Sequence, residues 1–168
     1  MPKKKNKLKT LAIDPGTQEM GIAILEDEDL AYYGVKTLKK KRPAKVLLKT
    51  LRKTIYKLCD DYQPDILSIE QTFNTTDRNL SLLHLAAAEV KYAAKRRGLK
   101  IVSYAPKTVR KFICGSGKAT KKEVSRVIAA RYPELGIYVI QDRIWKEKYW
   151  QNMFDAVAVG LTSLLMPR

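Results

Sequence analysis

Three acidic residues occupy positions where a carboxylate is unusual, and they are the residues best suited to chemistry. Asp14 ends an apolar segment just before a Pro-Gly turn, Glu70 ends the apolar segment DILSIE, and Asp155 stands between Phe154 and Ala156. Clustered carboxylates repel one another unless a cation lies between them, and a divalent metal meets that need. Two Mg²⁺ ions about 3.5 to 4 Å apart at such a cluster support phosphodiester cleavage. Each acid alone is equally well explained as a turn or helix cap, so the prediction rests on all three together.

The charge of the chain points to a polyanionic partner. Lys+Arg 33 against Asp+Glu 17 gives a formal net charge of +16, with a sequence pI of about 9.8. A folded surface with this excess of cations attracts nucleic acid. Basic residues to hold phosphates, together with acids to hold metals, are the combination that a nuclease requires.

Length and composition exclude several other classes of protein. The 168 residues are 45% hydrophobic and 30% charged, which is typical of one globular domain. Cys59 and Cys114 belong to no CxxC or Cys/His cluster, so neither a disulfide scaffold nor a zinc site is indicated, and a cytoplasmic location is expected. No apolar run approaches the roughly 18 residues of a membrane span, so no membrane partner is expected. We expect residues 1–9 to form a basic, flexible tail and residues 10–168 to form a single domain.

The elements that must position the acids follow from the apolar patterns. Short segments rich in β-branched and aromatic residues predict strands over 8–14, 21–26, 29–38, 65–70 and 100–104. Helical spacing predicts helices over 43–62, 77–97, 106–113, 120–132 and 149–165. A capping box in T-K-K-E marks the start of the fourth helix, because Thr120 can cap it while Glu123 bonds back. A meander followed by alternating strands and helices predicts an α/β fold with a mixed five-stranded sheet flanked by helices.

Four sequence blocks resemble the RuvC family of Holliday-junction resolvases, which have the RNase H-like fold. They are IDPGTQEMGIAI at 13–24, IEQTF at 69–73, YAPKTVRKFICGSGKATKKEV at 104–124 and DAVAVG at 155–160. The resemblance implies a homodimer that binds a four-way junction or branched DNA and nicks two strands symmetrically. It also implies two Mg²⁺ or Mn²⁺ ions per active site. Branch-migration or recombination proteins would be further partners, and the sequence does not identify them.

The resemblance assigns roles to four residues. Asp14 would be the acid shared between both metals, Glu70 the acid of the second block, and Asp155 the acid of the last helix. Phe73 matches the family's aromatic beside the active site, which is implicated in disrupting base stacking. An exposed Phe can wedge between base steps, whereas core packing is the alternative explanation.

Basic residues complete the implied site. Lys121, a catalytic candidate, and Arg110 match two basic positions near the scissile phosphate, although the family usually has Lys where Arg110 stands. Lys118 and Lys122 are expected to contact nucleic acid beside Lys121, at a helix N-terminus that itself favours phosphate. A solvated loop and first helical turn would explain these lysines equally simply.

The last block departs from the family pattern. The family usually has Asp-x-x-Asp or His-x-x-Asp there, and this chain has Asn152-x-x-Asp155. Asn can ligate a metal through its carbonyl oxygen, but it adds no negative charge and should bind more weakly. Low activity, a preference for Mn²⁺ and loss of activity all fit this change. Asp142 is a distant substitute that we do not favour.

Two further segments have two interpretations each. Residues 143–150 interleave aromatic and basic side chains, which suits stacking on bases, while burial under the last helix explains the aromatics equally well. The alanine-rich helix over 77–97 fits a dimer face or a tightly packed core.

The leading hypothesis from the sequence is a metal-dependent endonuclease that resolves four-way junctions. One alternative is a RuvC-like nuclease acting on other branched DNA or on RNA. The other is a non-catalytic or weakly active structure-selective binder whose metal site has degraded at Asn152.

Overall fold

The computed structural model describes residues 6–38, 40, 42–72 and 78–166. The strands are β1 (Lys9–Asp14), β2 (Glu19–Glu26), β3 (Asp29–Thr37), β4 (Ile66–Glu70) and β5 (Lys100–Tyr104). The α-helices are α1 (Ala44–Tyr62), α2 (Arg78–Arg96), α3 (Pro106–Cys114), α4 (Lys121–Arg131) and α5 (Ile144–Leu165). A short 3₁₀ helix, Pro133–Tyr138, precedes α5.

The strands form one five-stranded sheet in the order β3-β2-β1-β4-β5. β1, β2 and β3 pair antiparallel as a meander, and β4 and β5 continue the sheet parallel to β1. The predicted α/β architecture with a mixed sheet is therefore confirmed. Parallel pairing of β1 with β4 brings the carboxyl ends of both strands to the same edge of the sheet.

Helices cover both faces of the sheet, and strand alternation decides which side chains meet them. Leu11 and Ile13 point to the face covered by α1 and α2, where they join one buried cluster. Ala12 points to the opposite face and belongs to the cluster formed with α3, α4 and α5. Asp14 follows the same alternation as Ala12, so it faces α5.

Helix α5 lies close against the sheet because glycine stands at two of the contacts. A Cβ atom at Gly160 would come within 2.5 Å of the Leu25 side chain and 2.8 Å of the Ala12 side chain. At the other end, a Cβ atom at Gly21 would lie 1.8 Å from the carbonyl oxygen of Asn152. The missing side chains let the helix backbone contact β1 and β2 directly.

The predicted start of the last helix is wrong. Residues Ile144 to Lys148 are helical, although the prediction began the helix at Tyr149. Ile144 and Trp145 are 74% and 60% exposed, so these apolar side chains do not mark a buried helix face. The spacing of apolar residues therefore does not predict that residues 144–148 are helical.

Four of the five alanines in α2 belong to the core. The buried alanines are Ala86, Ala87, Ala93 and Ala94. Their small side chains let α2 pack closely with α1 over the sheet. Leu85 and Tyr92 lie on the outer side of the same helix, where each is about half exposed.

The first residues contact the sheet from Lys7 onward. The Lys7 amine lies 2.6 Å from an Asp29 carboxylate oxygen, and the Leu8 amide donates to Asp27 at 3.0 Å. Residues 1–5 lie outside the described part, so the flexible tail stays a prediction there. No helix among the described residues is long and apolar enough to cross a membrane.

Candidate active site

Two of the three predicted acids meet at one edge of the sheet. Ile13 pairs with Ile69 in the parallel β1–β4 ladder, so Asp14 and Glu70 are the next residues of neighbouring strands. Both side chains face α5, because Glu70 shares the orientation of Ser68. The Ser68 hydroxyl donates to the carbonyl oxygen of Val159 in α5 at 2.8 Å, which ties β4 to the helix.

The third acid, Asp155, reaches this edge from α5 and is held at both carboxylate oxygens. The Lys121 amine lies 3.1 Å from Oδ2, and the Gln151 side-chain amide donates to Oδ1 at 2.8 Å. Ser125 in turn donates to the Gln151 carbonyl oxygen at 2.9 Å. This chain of contacts fixes the Asp155 carboxylate, whose side chain is only 13% exposed.

Asp14 lies in an environment that disfavours the ionised form of its carboxyl group. Burial raises its pKa well above the ordinary value, and the nearby charges of Asp155 and Glu70 raise it further. Lys121 opposes this shift without cancelling it. The structure thus brings the three acids, which lie far apart in the sequence, within electrostatic reach of one another.

Glu70 is shifted in the same direction. Burial, followed by the Asp155 charge, raises the pKa of Glu70 from 4.5 to about 7, although Lys121 and Arg110 lower it. One pKa unit corresponds to about 1.4 kcal/mol, so ionising Glu70 in the folded chain costs roughly 3 kcal/mol more than in water. Ionisation of both Asp14 and Glu70 is therefore disfavoured, first by burial and then by the neighbouring carboxylates.

Lys121 enters the site from the first turn of α4. Thr120 accepts a hydrogen bond from the Glu123 amide at 3.1 Å, and Glu123 accepts one from the Thr120 amide at 2.6 Å. This capping box, predicted from the sequence, fixes where the helix starts. Burial lowers the pKa of the Lys121 amine, but the charge of Asp155 and the hydrogen bond to it outweigh burial and leave that pKa raised.

A cavity of about 70 Å³ opens beside the carboxylates. It is lined by Glu70, Pro106, Val109, Arg110, Lys121, Val124, Asp155 and Ala158. The Arg110 guanidinium donates to the Pro106 carbonyl oxygen at 3.3 Å, which holds it on the cavity wall. Two carboxylates and two basic groups therefore share one small cleft.

Comparison with known protein families identifies the family of this chain. The family model described as crossover junction endodeoxyribonuclease RuvC matches residues 10–162. This chain belongs to the RuvC family. The predicted family and the enzyme class of crossover junction endonucleases are thereby confirmed. The predicted RNase H-like fold is confirmed by similarity to solved structures.

Individual RuvC proteins match most of the chain. RuvC of Akkermansia muciniphila is 27% identical over 162 residues, covering 94% of this chain and 90% of that protein. RuvC of Thermobifida fusca is 32% identical over 130 residues, covering 73% and 70%. Thermus thermophilus RuvC has the same fold, with a TM-score of 0.72 at 22% identity and 92% of each chain covered. A structure of that protein in complex with a Holliday junction substrate superposes with a TM-score of 0.71 at 20% identity, covering 92% of this chain and 91% of the other.

RuvC-family enzymes are metal-dependent nucleases, and the residues of this cleft suit a cation. Among the described residues, no three His, Cys, Asp or Glu side chains lie close enough together to ligate one metal ion as they stand. The raised pKa values of Asp14 and Glu70 nevertheless show that ionising these buried carboxyl groups is costly in the protein alone. A divalent cation with carboxylate ligands would remove this cost, so the donor set fits a hard metal ion.

The fourth predicted metal ligand, Asn152, lies one helical turn before Asp155. Its amide nitrogen donates to a Glu19 carboxylate oxygen at 3.1 Å, a contact that the sequence did not reveal. Asp142 is exposed and pairs with the Lys146 amine at 2.8 Å. This pairing gives no support to Asp142 as a substitute ligand.

The remaining nucleic-acid candidates lie in different places. Lys122 lines a 210 Å³ cleft next to Lys121, together with Lys148 and Gln151. Lys118 lines a separate cleft with Ser116 and Glu123. Phe73 lies outside the described residues, so its role stays a prediction.

In the aromatic and basic segment 143–150, one tryptophan is packed against the protein and the other is exposed and free to stack on a base. Trp150 packs on Tyr138, with ring centroids 4.2 Å apart, and is partly buried. Trp145 is 60% exposed beside the Lys146 amine, which lies 5.8 Å from its ring centroid. Packing accounts for Trp150, and Trp145 remains available for stacking.

Three side chains that contact the predicted metal ligands or their partners, Gln151, Ser125 and Glu19, were not predicted from the sequence. The Ser125–Gln151 and Glu19–Asn152 contacts join different elements, whereas Gln151 and Asp155 lie on the same helix. One signal was available, because Gln151 stands four residues before Asp155 and a helix places such residues side by side. No sequence spacing of this kind connects Glu19 with Asn152.

Proposed function

We propose that this RuvC-family chain resolves four-way DNA junctions by paired symmetric nicks through metal-dependent phosphodiester hydrolysis. The observation that carries the proposal is the convergence of Asp14, Glu70 and Asp155 at one sheet edge, with raised pKa values at the first two. The net charge of +16 on the whole chain supports a nucleic-acid substrate.

Asp14, Glu70 and Asp155 would hold the metal, with the side-chain oxygen of Asn152 as a neutral fourth ligand. Mg²⁺ is the expected ion and Mn²⁺ the alternative, with two ions per site. When bound, such ions supply the activation of a water molecule and the stabilisation of the leaving oxygen that hydrolysis requires.

The protein's own cations would position the DNA strand. Lys121 and Arg110 border the cavity that contains Glu70 and Asp155, where they can hold the oxygens of the scissile phosphate. The exposed Lys121 side chain bonds Asp155 in the free protein, and a phosphate would compete for its amine. Lys122 and Lys148 line the adjoining cleft and would hold a neighbouring phosphate.

Paired nicks need two active sites related by symmetry, so the proposal includes a homodimer. Leu85 and Tyr92 stand seven residues apart on α2, on its outer face, and about half of each side chain is exposed. Apolar side chains at this spacing form a stripe that suits self-association. The two cleavage events would then fall on strands of like polarity across the junction.

The test is cleavage of end-labelled synthetic four-way junctions in Mg²⁺, Mn²⁺ or EDTA, analysed on denaturing gels beside linear duplex. We expect paired nicks that require metal, and we expect Asp14→Asn to abolish cutting while junction binding persists. Cleavage by Asp14→Asn at the normal rate would contradict the metal assignment. Equal cleavage of RNA or of other branched DNA would instead favour the broader RuvC-like nuclease.

One observation favours a second candidate, a non-catalytic or weakly active junction binder. The ligand position Asn152 carries no charge, and its amide nitrogen is engaged by Glu19. This candidate predicts tight, steeply salt-dependent junction binding without cuts in either metal. The same gels, combined with binding titrations at several salt concentrations, separate the two functions.

A further inference from the structure

The Asn152 side chain has a defined orientation. Its amide nitrogen lies 3.1 Å from Glu19 Oε2, 3.2 Å from the Lys148 carbonyl oxygen and 3.1 Å from the Tyr149 carbonyl oxygen. All three neighbours are acceptors, so only the NH₂ end of the amide can face them. The oxygen Oδ1 is therefore the opposite end, and no donor in the described part of the chain bonds to it.

Glu19 lies on the site's face of the sheet. It is the first residue of β2 and precedes Gly21 by two positions, so both residues face α5. Gly21 pairs with Asp14 and lies under the Asn152 backbone. The Glu19–Asn152 contact thus borders the cleft that contains the proposed metal ligands.

We propose that Glu19 is a positioning residue that supplies, through the amide of Asn152, the negative charge that this ligand position lacks. The inference rests on the proposed metal-dependent function. A carboxylate that accepts from an amide N–H makes a charge-assisted hydrogen bond, which polarises the amide and leaves its oxygen more negative. Outer partners of this kind orient metal ligands and strengthen them.

The two side chains are a matched pair. A carboxylate at both positions would place two anions about as close as the present hydrogen bond, and like charges at that distance destabilise each other. A neutral amide at 152 is therefore the complement of a carboxylate at 19. Substituting Asp at position 152 should help a metal only when Glu19 is neutral as well.

The experiment measures Mn²⁺ binding without DNA, by the electron paramagnetic resonance signal of free Mn²⁺. The proteins are the wild type, Glu19→Gln, Asn152→Asp, the double variant, Asp14→Asn and the control Glu26→Gln. Glu26 lies at the far end of β2, 3.5 Å from the Lys9 amine, and has no part in the site. Gln at position 19 keeps a carbonyl acceptor for Asn152, and a thermal melt verifies that each variant is folded.

We expect Glu19→Gln to weaken Mn²⁺ binding by about 10- to 100-fold, as losses of outer-shell partners do. Asn152→Asp should give a much larger gain in the Glu19→Gln background than in the wild type, and Glu26→Gln should leave the affinity unchanged. Wild-type affinity in folded Glu19→Gln, or equal gains in both backgrounds, would overturn the role of Glu19.

The remaining variant separates this inference from the proposed function. Loss of Mn²⁺ binding in Asp14→Asn supports the metal site itself, whatever Glu19 does. Unchanged binding in Asp14→Asn, or no binding by the wild type, would overturn the proposed metal site and the role of Glu19 with it.

Discussion

Asp14 and Gly21 lie directly opposite each other in the β1–β2 ladder. The absence of a side chain at Gly21 is what allows the backbone of α5 to lie against β2 at Asn152. The same helix carries Asp155 to the side of the sheet where Asp14 lies. Gly21, which has no reactive side chain, therefore helps to set the distance between these two acids. Packing and the active site are coupled at this point of the sheet.

Gly21→Ala should therefore destabilise the protein. The new Cβ atom would lie 1.8 Å from a backbone oxygen, which cannot move without displacing α5. We expect a loss of about 1 to 3 kcal/mol or more in the free energy of unfolding. Chemical denaturation measures it, with Gly136→Ala as the control.

Gly136 suits this purpose because a Cβ atom there meets nothing within 4 Å. Its substitution should change stability by less than about 0.5 kcal/mol. Similar losses in both variants would show that the close contact with α5 is not responsible, since reduced flexibility of the unfolded chain would by itself stabilise the protein.

The raised pKa of Glu70, about 7, predicts a pH dependence of stability. The unfolded chain releases this proton near the ordinary pKa of 4.5, while the folded chain holds it to about 7. Without metal, stability should therefore fall as pH rises through this window, by at most roughly 3 kcal/mol for Glu70. Glu70→Gln should remove the part of this pH-dependent loss of stability that Glu70 causes.

Urea unfolding of both proteins from about pH 4 to about pH 8 in EDTA tests the pH effect. The two stability curves should separate as pH rises, with the variant more stable at the alkaline end. Parallel curves would mean that Glu70 ionises normally in the folded protein. Asp14 should give the wild type and the variant a further slope of the same sign, because its pKa is also raised.

Gln151→Leu should impair cleavage while leaving the carboxylates in place. The substitution removes the 2.8 Å hydrogen bond to Asp155 and the acceptor of the Ser125 hydroxyl. Losing an outer partner of a metal ligand typically costs about 10- to 100-fold in activity or metal affinity. The measurement is the single-turnover rate of junction cleavage across a Mg²⁺ titration.

Gln141→Leu is the matched control, because Gln141 bonds only the Ile137 carbonyl oxygen among the contacts described for its side chain. Its cleavage rate should equal that of the wild type. A full rate for Gln151→Leu at low Mg²⁺ would exclude a positioning role for this side chain.

Trp145 and Trp150 should respond oppositely to alanine substitution. Trp150→Ala removes a ring packed on Tyr138 and should cost about 3 kcal/mol of stability. Trp145→Ala should leave stability within about 0.5 kcal/mol, because its ring is exposed. If Trp145 stacks on a base, its loss should weaken junction binding by about 1 to 3 kcal/mol.

Fluorescence anisotropy with labelled junctions, together with thermal melts, separates the two tryptophans. Unchanged junction affinity in Trp145→Ala would remove base stacking from the proposed role of this segment.

Much of the fold was predictable because its signals are local. The strand β5 and the capping box of α4 depend on residues within a few positions of one another, and both were predicted correctly. The start of α5 was missed because its first turns expose Ile144 and Trp145 and bury no regular apolar face. Apolar periodicity reveals a helix only where one of its faces is buried, and the first turns of α5 are exposed.

The sequence by itself determined the family, the presence of a mixed five-stranded sheet and the positions of Asp14, Glu70 and Asp155 as candidate ligands. Residue type, local apolar pattern and the order of the sequence blocks can all be read without the fold. Only the tertiary structure decided how these acids are held and charged. The contacts of Asp155 with Lys121 and of Asn152 with Glu19 join residues 34 and 133 positions apart. The raised pKa values arise from burial and from charges brought together by folding, and neither exists in the extended chain.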